Sequence, residues 1–455
     1  MTTYIEQLQK TILQISSERD SALALAKEIA KRNRSLELEN QQLKSKLLFY
    51  ENPHTPPSAR TLITPKFEGT KNAKKRGAPK GHKGATRPTP IPDETKDVVA
   101  PECEKCGSTK IESLKQIKKS IIEDLPPPQE IKVTQYNRHK VKCRDCGHEF
   151  FSKHRDCPQK GNFGIYLIVY ITMLKFHLRG VLRKIQDFLS YSLNFNISVK
   201  GIHDLLLRVG GVCKIGYDEK LERIRKAPWL YIDETGMKVN GDNWWLWIFR
   251  TPDNDVLVVI RKSRGGKVVE EILGLNWNKP IIADGWKVYW KYPIVQRCWS
   301  HLLREVKAFK KVSDQGAQLL IDIHECFERM KEFLDTNPSM GDRKKQKRIF
   351  ESDMKDLVEK YSEFKDIQKP LTYIKNGLGK WYTCLHYPGM QPTNNLGEQA
   401  IREHVIMRKI IGCFRSENGA ENYQYIASLL ASWRMQKKNM FEELEDILRK
   451  ELCLS

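Results

Sequence analysis

The sequence contains no run of about 18 apolar residues, which argues against a membrane-spanning helix. Its start, MTTYIEQLQK, has no basic stretch followed by an apolar block, so no secretory signal is expected there and the cytoplasm is the expected location. Cysteine is too sparse for a disulfide scaffold, with 11 in 455 residues. Four of them form two C-x-x-C pairs, a pattern that suits metal binding in a reducing compartment. Acid is short relative to base: 78 Lys and Arg stand against 56 Asp and Glu, a formal charge of +22. That surplus favours a polyanionic partner, of which nucleic acid is the usual one. The length exceeds one ordinary core, and a 40% hydrophobic content supports several globular domains.

Residues 3–50 lack proline and glycine altogether. Within them Ile5, Ile12, Arg19, Ala26, Asn33, Asn40 and Leu47 repeat every seven residues. So do Leu8, Ile15, Ala22, Ile29, Leu36, Leu43 and Tyr50. Such a seam buries itself only against a partner helix, so a coiled coil is expected over residues 1–52, most simply a homodimer. Asn33 and Asn40 at core positions are polar defects of the kind that fix register. An amphipathic helix packed on its own chain is the other reading.

Residues 60–90 are poor in large apolar side chains and hold a single acid, Glu68, beside nine Lys or Arg. The stretch KKRGAPKGHKGATRP cannot form a core. It reads as an extended basic arm within residues 53–100, with Lys75, Arg76, Lys80 and Lys83 as candidate DNA contacts. A solvated linker is the alternative.

Cys103-x-x-Cys106-Gly and Cys143-x-x-Cys146-Gly are two knuckles of one pattern. Each C-x-x-C turn points two thiolates at one centre, and four thiolates complete a tetrahedral zinc site with no position left for water. A structural zinc ion is therefore expected in a zinc-binding domain at 101–157, with strands drawn from the intervening residues. A helical domain follows at 158–226. There RKIQDFLSYSLNFNISVKGIHDLLLRVG reads as helix, turn at Asn194–Asn196, and helix capped by Ser198. It fits a DNA-reading helix-turn-helix or a plain helical hairpin equally well.

From Trp229 the texture changes. WLYIDETGMKV, WWLWIFRT and DVLVVIRKS are rich in aromatic and β-branched residues, with turns at Asn240-Gly241 and Pro252-Asp253. They read as an antiparallel meander. GGKVVEEILG reads as a helix, KPIIADGWKVY as another strand, and about 300–369 as a long helical region stopped by Pro370. The expected fold class is multidomain, with an α/β domain at 227–310 and 371–420, a helical insertion at 311–370 and a helical segment at 421–455.

Asp233 lies inside the first strand and Asp284 at the end of a later one, where a sheet presents side chains to a ligand. Glu398 follows a helix start near Asn394 or Asn395. Three acids on separate elements can converge on metal ions, since without cations they would resist ionising together. Glu234 and Asp242 compete with Asp233 on pattern alone, and Glu403 competes with Glu398.

These residues resemble a known family. The helix, the basic arm, the two knuckles, YIDET, ADGWKVY, RCWSHLLRE and TNNLGEQAIREHVIMRKIIGCFRS, in that order, are similar to transposases of the insertion sequence 66 family. The resemblance implies an RNase H-like fold and a DDE active site at Asp233, Asp284 and Glu398, loaded with Mg2+ or Mn2+. It implies metal-dependent cleavage at transposon ends and joining of the freed 3′ ends to target DNA, both partners being double-stranded. Two ions would activate the attacking oxygen and stabilise the leaving one. Accessory proteins of the same element often accompany such transposases. The 113 residues between Asp284 and Glu398 resemble the insertion that splits related folds. RCWSHLLRE contains Cys298-x-x-His301, expected as a structural feature near the active site rather than a second zinc site. Relatives often carry Arg-Ala-Glu-Arg where this chain has Leu396, Gly397, Glu398 and Gln399. Arg402, Arg408 and Lys409 are further candidate phosphate contacts on roughly related faces of one helix. Two other functions fit the same features: a non-catalytic zinc-containing DNA-binding regulator derived from a transposase, and a nuclease that cuts without joining.

Overall fold

The computed structural model describes residues 2–50, 90–112, 117–124 and 131–454, with helix side chains in the first stretch described at 14–37, 39 and 40. The candidate arm contacts Lys75, Arg76, Lys80 and Lys83 lie outside the described residues. The chain divides into two compact units, 1–129 and 130–455, with the boundary between the two knuckles.

In the first unit, α1 (Thr2–Tyr50) is one unbroken helix, as the absence of breakers predicts. Three of its described seam residues, Ile15, Ile29 and Leu36, are 60%, 52% and 48% exposed. The first knuckle closes with Cys103 N–H donating to Ser108 O and Gly107 N–H donating to Cys103 O. Gly107 has φ +69°, the left-handed conformation this turn demands.

The second unit opens with the same turn. Cys143 N–H donates to His148 O, Gly147 N–H donates to Cys143 O, and Gly147 has φ +73°. Strands β1 (Lys140–Lys142) and β2 (Glu149–Phe151) flank it as an antiparallel hairpin. Three helices follow: α2 (Ile165–Phe176), α3 (Leu182–Leu193) and α4 (Val199–Lys226). Asn194 ends α3 with φ +48°, and Ser198 Oγ caps α4 by accepting from Gly201 N–H. The expected helix, turn and capped helix are thus present. However, α4 runs on for 28 residues and shares one apolar core with the sheet, through Ile202, Leu205, Val209 and Cys213.

The sheet contains β3 (Leu230–Val239), β4 (Asp242–Arg250), β5 (Val256–Arg261), β6 (Ile281–Ala283) and β7 (Val295–Arg297), in the order β5-β4-β3-β6-β7. The first three form the expected meander; β6 and β7 run parallel to β3. Helix α5 (Gly266–Leu273) lies between β5 and β6 in the chain. The region expected as one long helix is α6 (Trp299–Lys307), α7 (Asp314–Asp335) and α8 (Met340–Lys360). Pro370 does not stop it. It sits in the first turn of a further helix, α9 (Gln368–Lys375), where an N–H has no helical partner to lose. The chain closes with α10 (Asn395–Ile411), α11 (Glu417–Met435) and α12 (Met440–Arg449).

Helix α11 binds the sheet edge side-on. Ser432, Ser428 and Gln424 accept from the N–H groups of Val256, Val258 and Ile260, every second residue of β5. At the start of β5, Asp255 accepts from Lys220 Nζ at 2.7 Å and Arg223 Nε at 2.8 Å, tying the sheet to α4. Burial works to raise the Asp255 carboxyl, but the two cations outweigh it and hold it below its ordinary range. Breaking a buried pair strands a charge, so Asp255→Ala should cost about 3–5 kcal/mol in urea unfolding at pH 7. A carboxyl depressed in the fold adds stability above its unfolded value near 3.9 and loses it as pH falls through the folded value. The gap between Asp255→Ala and the parent should therefore narrow towards pH 3. A gap that stayed constant would mean the charges are not its source.

Candidate active site

The alternation of β3 decides which of its acids share a face. Leu230 and Ile232 point into the core shared with α2 and α4, while Tyr231 points into the core of α6 and α7. Asp233 is two residues from Tyr231 and shares its face; Glu234 shares that of Ile232. On the neighbouring parallel strand, Leu230 pairs with Ile281 and Tyr231 with Ile282. Carried on by the same register, Asp233 comes level with Asp284, on the face of Ile282. The register therefore brings the two aspartates to one level at the end of β6, where the charge of Asp284 acts on Asp233.

Glu234 goes to the opposite face and is fully engaged there. Its side chain is 3% exposed and accepts from Arg264 Nη2 at 2.9 Å and from Tyr289 Oη at 2.9 Å. The Arg264 guanidinium lies 4.7 Å from the Trp245 ring centroid and 4.3 Å from that of Trp286. The other competitors are also placed. Asp242 starts β4 at the exposed hairpin tip, and Glu403 pairs with Arg179 and Arg434.

Glu398 reaches the site from the first turn of α10, and buried Asn394 sets that turn. Asn394 donates Nδ2–H to Ile232 O at 2.9 Å, and its own N–H donates to Cys298 Sγ at 3.1 Å. Its carbonyl accepts from Glu398 N–H. A Cβ on Gly397 would fall 2.6 Å from Asn394 Oδ1, which accounts for glycine at this position. The backbone immediately before Glu398 is thus tied to the strand that bears Asp233.

Burial, followed by the charges of Glu234, Asp284 and Glu398, pushes the Asp233 carboxyl up to about 7. Asp233 Oδ1 accepts from Glu234 N–H, and Asp284 Oδ1 accepts from Trp286 N–H, both at 2.9 Å. Glu398 Oε1 is buried without a hydrogen-bond partner. An Asp233 carboxyl that resists ionising, beside a glutamate with an orphaned oxygen, fits a dication that would relieve both conditions. The three acids are not all within 4.8 Å of one another. Gly285 lets the chain turn tightly behind Asp284, since a Cβ there would fall 2.1 Å from Arg297 Nη2.

Residues 160–422 match the family described as Transposase IS66 family. The chain belongs to the IS66 transposase family. The matched region holds all three acids and the helices between Asp284 and Glu398, and leaves out α1, the arm and both knuckles. Comparison with curated proteins gave no match.

Of the candidate phosphate contacts on α10, Arg402 and Lys409 are exposed. Arg408 is half-buried and turned onto β3, donating to Thr235 Oγ1 at 2.8 Å and to the Gly236 carbonyl. Cys298 and His301 of the C-x-x-H motif, expected near the active site, lie beside Glu398. Among the described residues, no helix is long and apolar enough to cross a membrane.

Proposed function

We propose that this protein is a catalytic DNA transposase: it binds the ends of its element, cleaves phosphodiester bonds and joins the 3′ ends to target DNA. The observation that carries the reading is the parallel register of β3 on β6, which continued by two residues brings Asp233 level with Asp284, together with the tie of Asn394, just before Glu398, to β3. The strand order β5-β4-β3-β6-β7, with three antiparallel strands followed by two parallel ones, supports an RNase H-like catalytic domain. Asp233, Asp284 and Glu398 would hold Mg2+ or Mn2+. When bound, the ions would supply activation of water or a 3′-hydroxyl and stabilisation of the leaving oxygen. The residues' own part is to hold three carboxylates on rigid elements. Arg264 and Tyr289 keep Glu234 engaged on the other face and out of that set. Exposed Arg402 and Lys409, with Lys75, Arg76, Lys80 and Lys83 of the arm, would contact DNA phosphates, and the half-buried Arg408 would brace α10 against β3.

Incubating the full-length protein with labelled element ends, target DNA and Mg2+ separates the readings. Joined product supports transposition, nicked ends alone a nuclease, and bound but intact DNA a regulator. All three acids are retained, which favours the catalytic reading over the regulator.

The two matching knuckle turns and the C-x-x-C spacing support structural Zn2+ on Cys103, Cys106, Cys143 and Cys146. Backbone N–H groups of Lys105 and Cys106 lower the Cys103 thiol, and those of Cys146 and Asp145 lower Cys143, as a thiolate site requires. Cys103→Ser should lose zinc in elemental analysis and weaken end binding by at least about 10-fold, the low end of structural metal-shell losses. Full binding by a zinc-free protein would sink that role.

Helix α1, with seam residues exposed, is proposed to pair with a second copy. Deleting residues 1–50 should lower the molar mass in light scattering from dimer to monomer. An unchanged mass would place the dimer contact elsewhere. The proposed setting is the cytoplasm, on the nucleoid when DNA-bound, with accessory proteins of the same element as possible further partners.

A further inference from the structure

Cys298 follows β7 directly as the N-cap of α6, His301 lies in the first turn of α6, and Glu398 lies in the first turn of α10. One ligand atom from each, the thiol sulfur, a ring nitrogen and a carboxylate oxygen, lies within 4.8 Å of the other two. No other group of three such residues does so among the described residues. His301 Nδ1 and Glu398 Oε1 are 3.6 Å apart, beyond hydrogen-bond range, yet both are buried with no hydrogen-bond partner. A protonated His301 would meet Glu398 there as an ion pair, and a neutral one leaves both atoms to a group that can bind the two at once. On a tetrahedral ion with bonds near 2.0–2.1 Å, two such ligands stand about 3.4 Å apart, close to the separation here.

The third ligand fixes what that group is. Cys298 is fully buried, and the Asn394 N–H already points at its sulfur, a donor suited to a thiolate. A thiolate with an imidazole suits a borderline ion and is a poor ligand set for Mg2+. We infer that Cys298, His301 and Glu398 form a separate site for a divalent transition metal of the Zn2+ or Co2+ type, which draws Glu398 away from the catalytic ions. On binding, the Cys298 S–H bond gives way to a sulfur–metal bond and the proton leaves to solvent. Three protein ligands leave the fourth position for water. Arg304, 64% exposed with Nη2 4.0 Å from Glu398 Oε2, neutralises the second carboxylate oxygen from the solvent side. The binding claim stands on these residues alone. The competition claim rests on the proposed catalytic role of Glu398.

The test is a Co2+ titration of the full-length protein carrying one equivalent of Zn2+ for the four-thiolate knuckles and no free Zn2+, followed by the thiolate-to-cobalt charge-transfer band. The parent should develop the band with one equivalent. Cys298→Ser should lack it, and His301→Gln should weaken cobalt binding at least about 10-fold with an unchanged melting temperature. Asp233→Asn, outside the trio, should keep the band. Zn2+ added to a cleavage assay in Mg2+ should inhibit the parent more strongly than Cys298→Ser. A band that survives in Cys298→Ser, or no cobalt bound beyond the knuckles, overturns the site. A cobalt-binding parent that never cleaves DNA leaves the site standing and overturns the transposase reading instead.

Discussion

Asp233→Asn and Asp284→Asn should each reduce Mg2+-dependent strand cleavage by at least about 10³-fold, the scale expected when a core catalytic group is lost. Binding of the element ends should change only a few-fold, because in the proposed mechanism these acids would hold metal and not DNA. The structure sharpens the comparison. Glu234 is the immediate neighbour of Asp233 and equally acidic, but it lies on the other face under Arg264 and Tyr289. Glu234→Gln keeps the hydrogen bond from Tyr289, so it should lower stability more than it lowers cleavage per folded molecule. If Asp233→Asn cleaved like the parent while Glu234→Gln did not, the face assignment would be reversed.

Gly285→Ala should lower cleavage about 100-fold, the scale of a 1 Å misplacement of a catalytic group. The new Cβ would meet Arg297 Nη2 at 2.1 Å and the Tyr373 ring and hydroxyl at 2.8 Å. An arginine end usually yields cheaply, but this one is clamped. Arg297 is 2% exposed, with its guanidinium 4.2 Å from the Tyr373 centroid and 4.5 Å from that of Trp381. Its Nη1 donates to Tyr373 O at 3.0 Å. The end of β6 must therefore move, and Asp284 moves with it. Overpacking of this kind should also cost about 1–3 kcal/mol, visible as a lower melting temperature. Cleavage at the parental rate by Gly285→Ala would show that the strand end is free to shift without displacing Asp284.

The signals that were legible in the sequence are local ones. β-branched and aromatic alternation with Asn240-Gly241 marked the meander, Ser198 marked the start of α4, and Gly107 and Gly147 marked the knuckle turns. Period-two alternation in YIDET put Asp233 and Glu234 on opposite faces, but only the assignment of Tyr231 and Ile232 to different cores told which face is the site. What was not legible is set by tertiary contact. Strand β7 has three residues, too few for a periodic signal. Pro370 signals a stop wherever it falls inside a helix, but not in a first turn. Arg408 is charged and helical like Arg402, and only packing against β3 turns it inward. The approach of Cys298 and His301 to Glu398 joins segments nearly a hundred residues apart, brought together by Asn394. Neither spacing nor composition encodes that contact.

Glu398 is the acid that pattern supported least and that the site most depends on. The most direct test is therefore strand transfer by full-length Glu398→Gln beside the parent, with labelled ends, target DNA and Mg2+. The account predicts joined product from the parent, none from the variant, and equal retention of the ends by both in a gel shift. Joined product from Glu398→Gln at the parental level would contradict it.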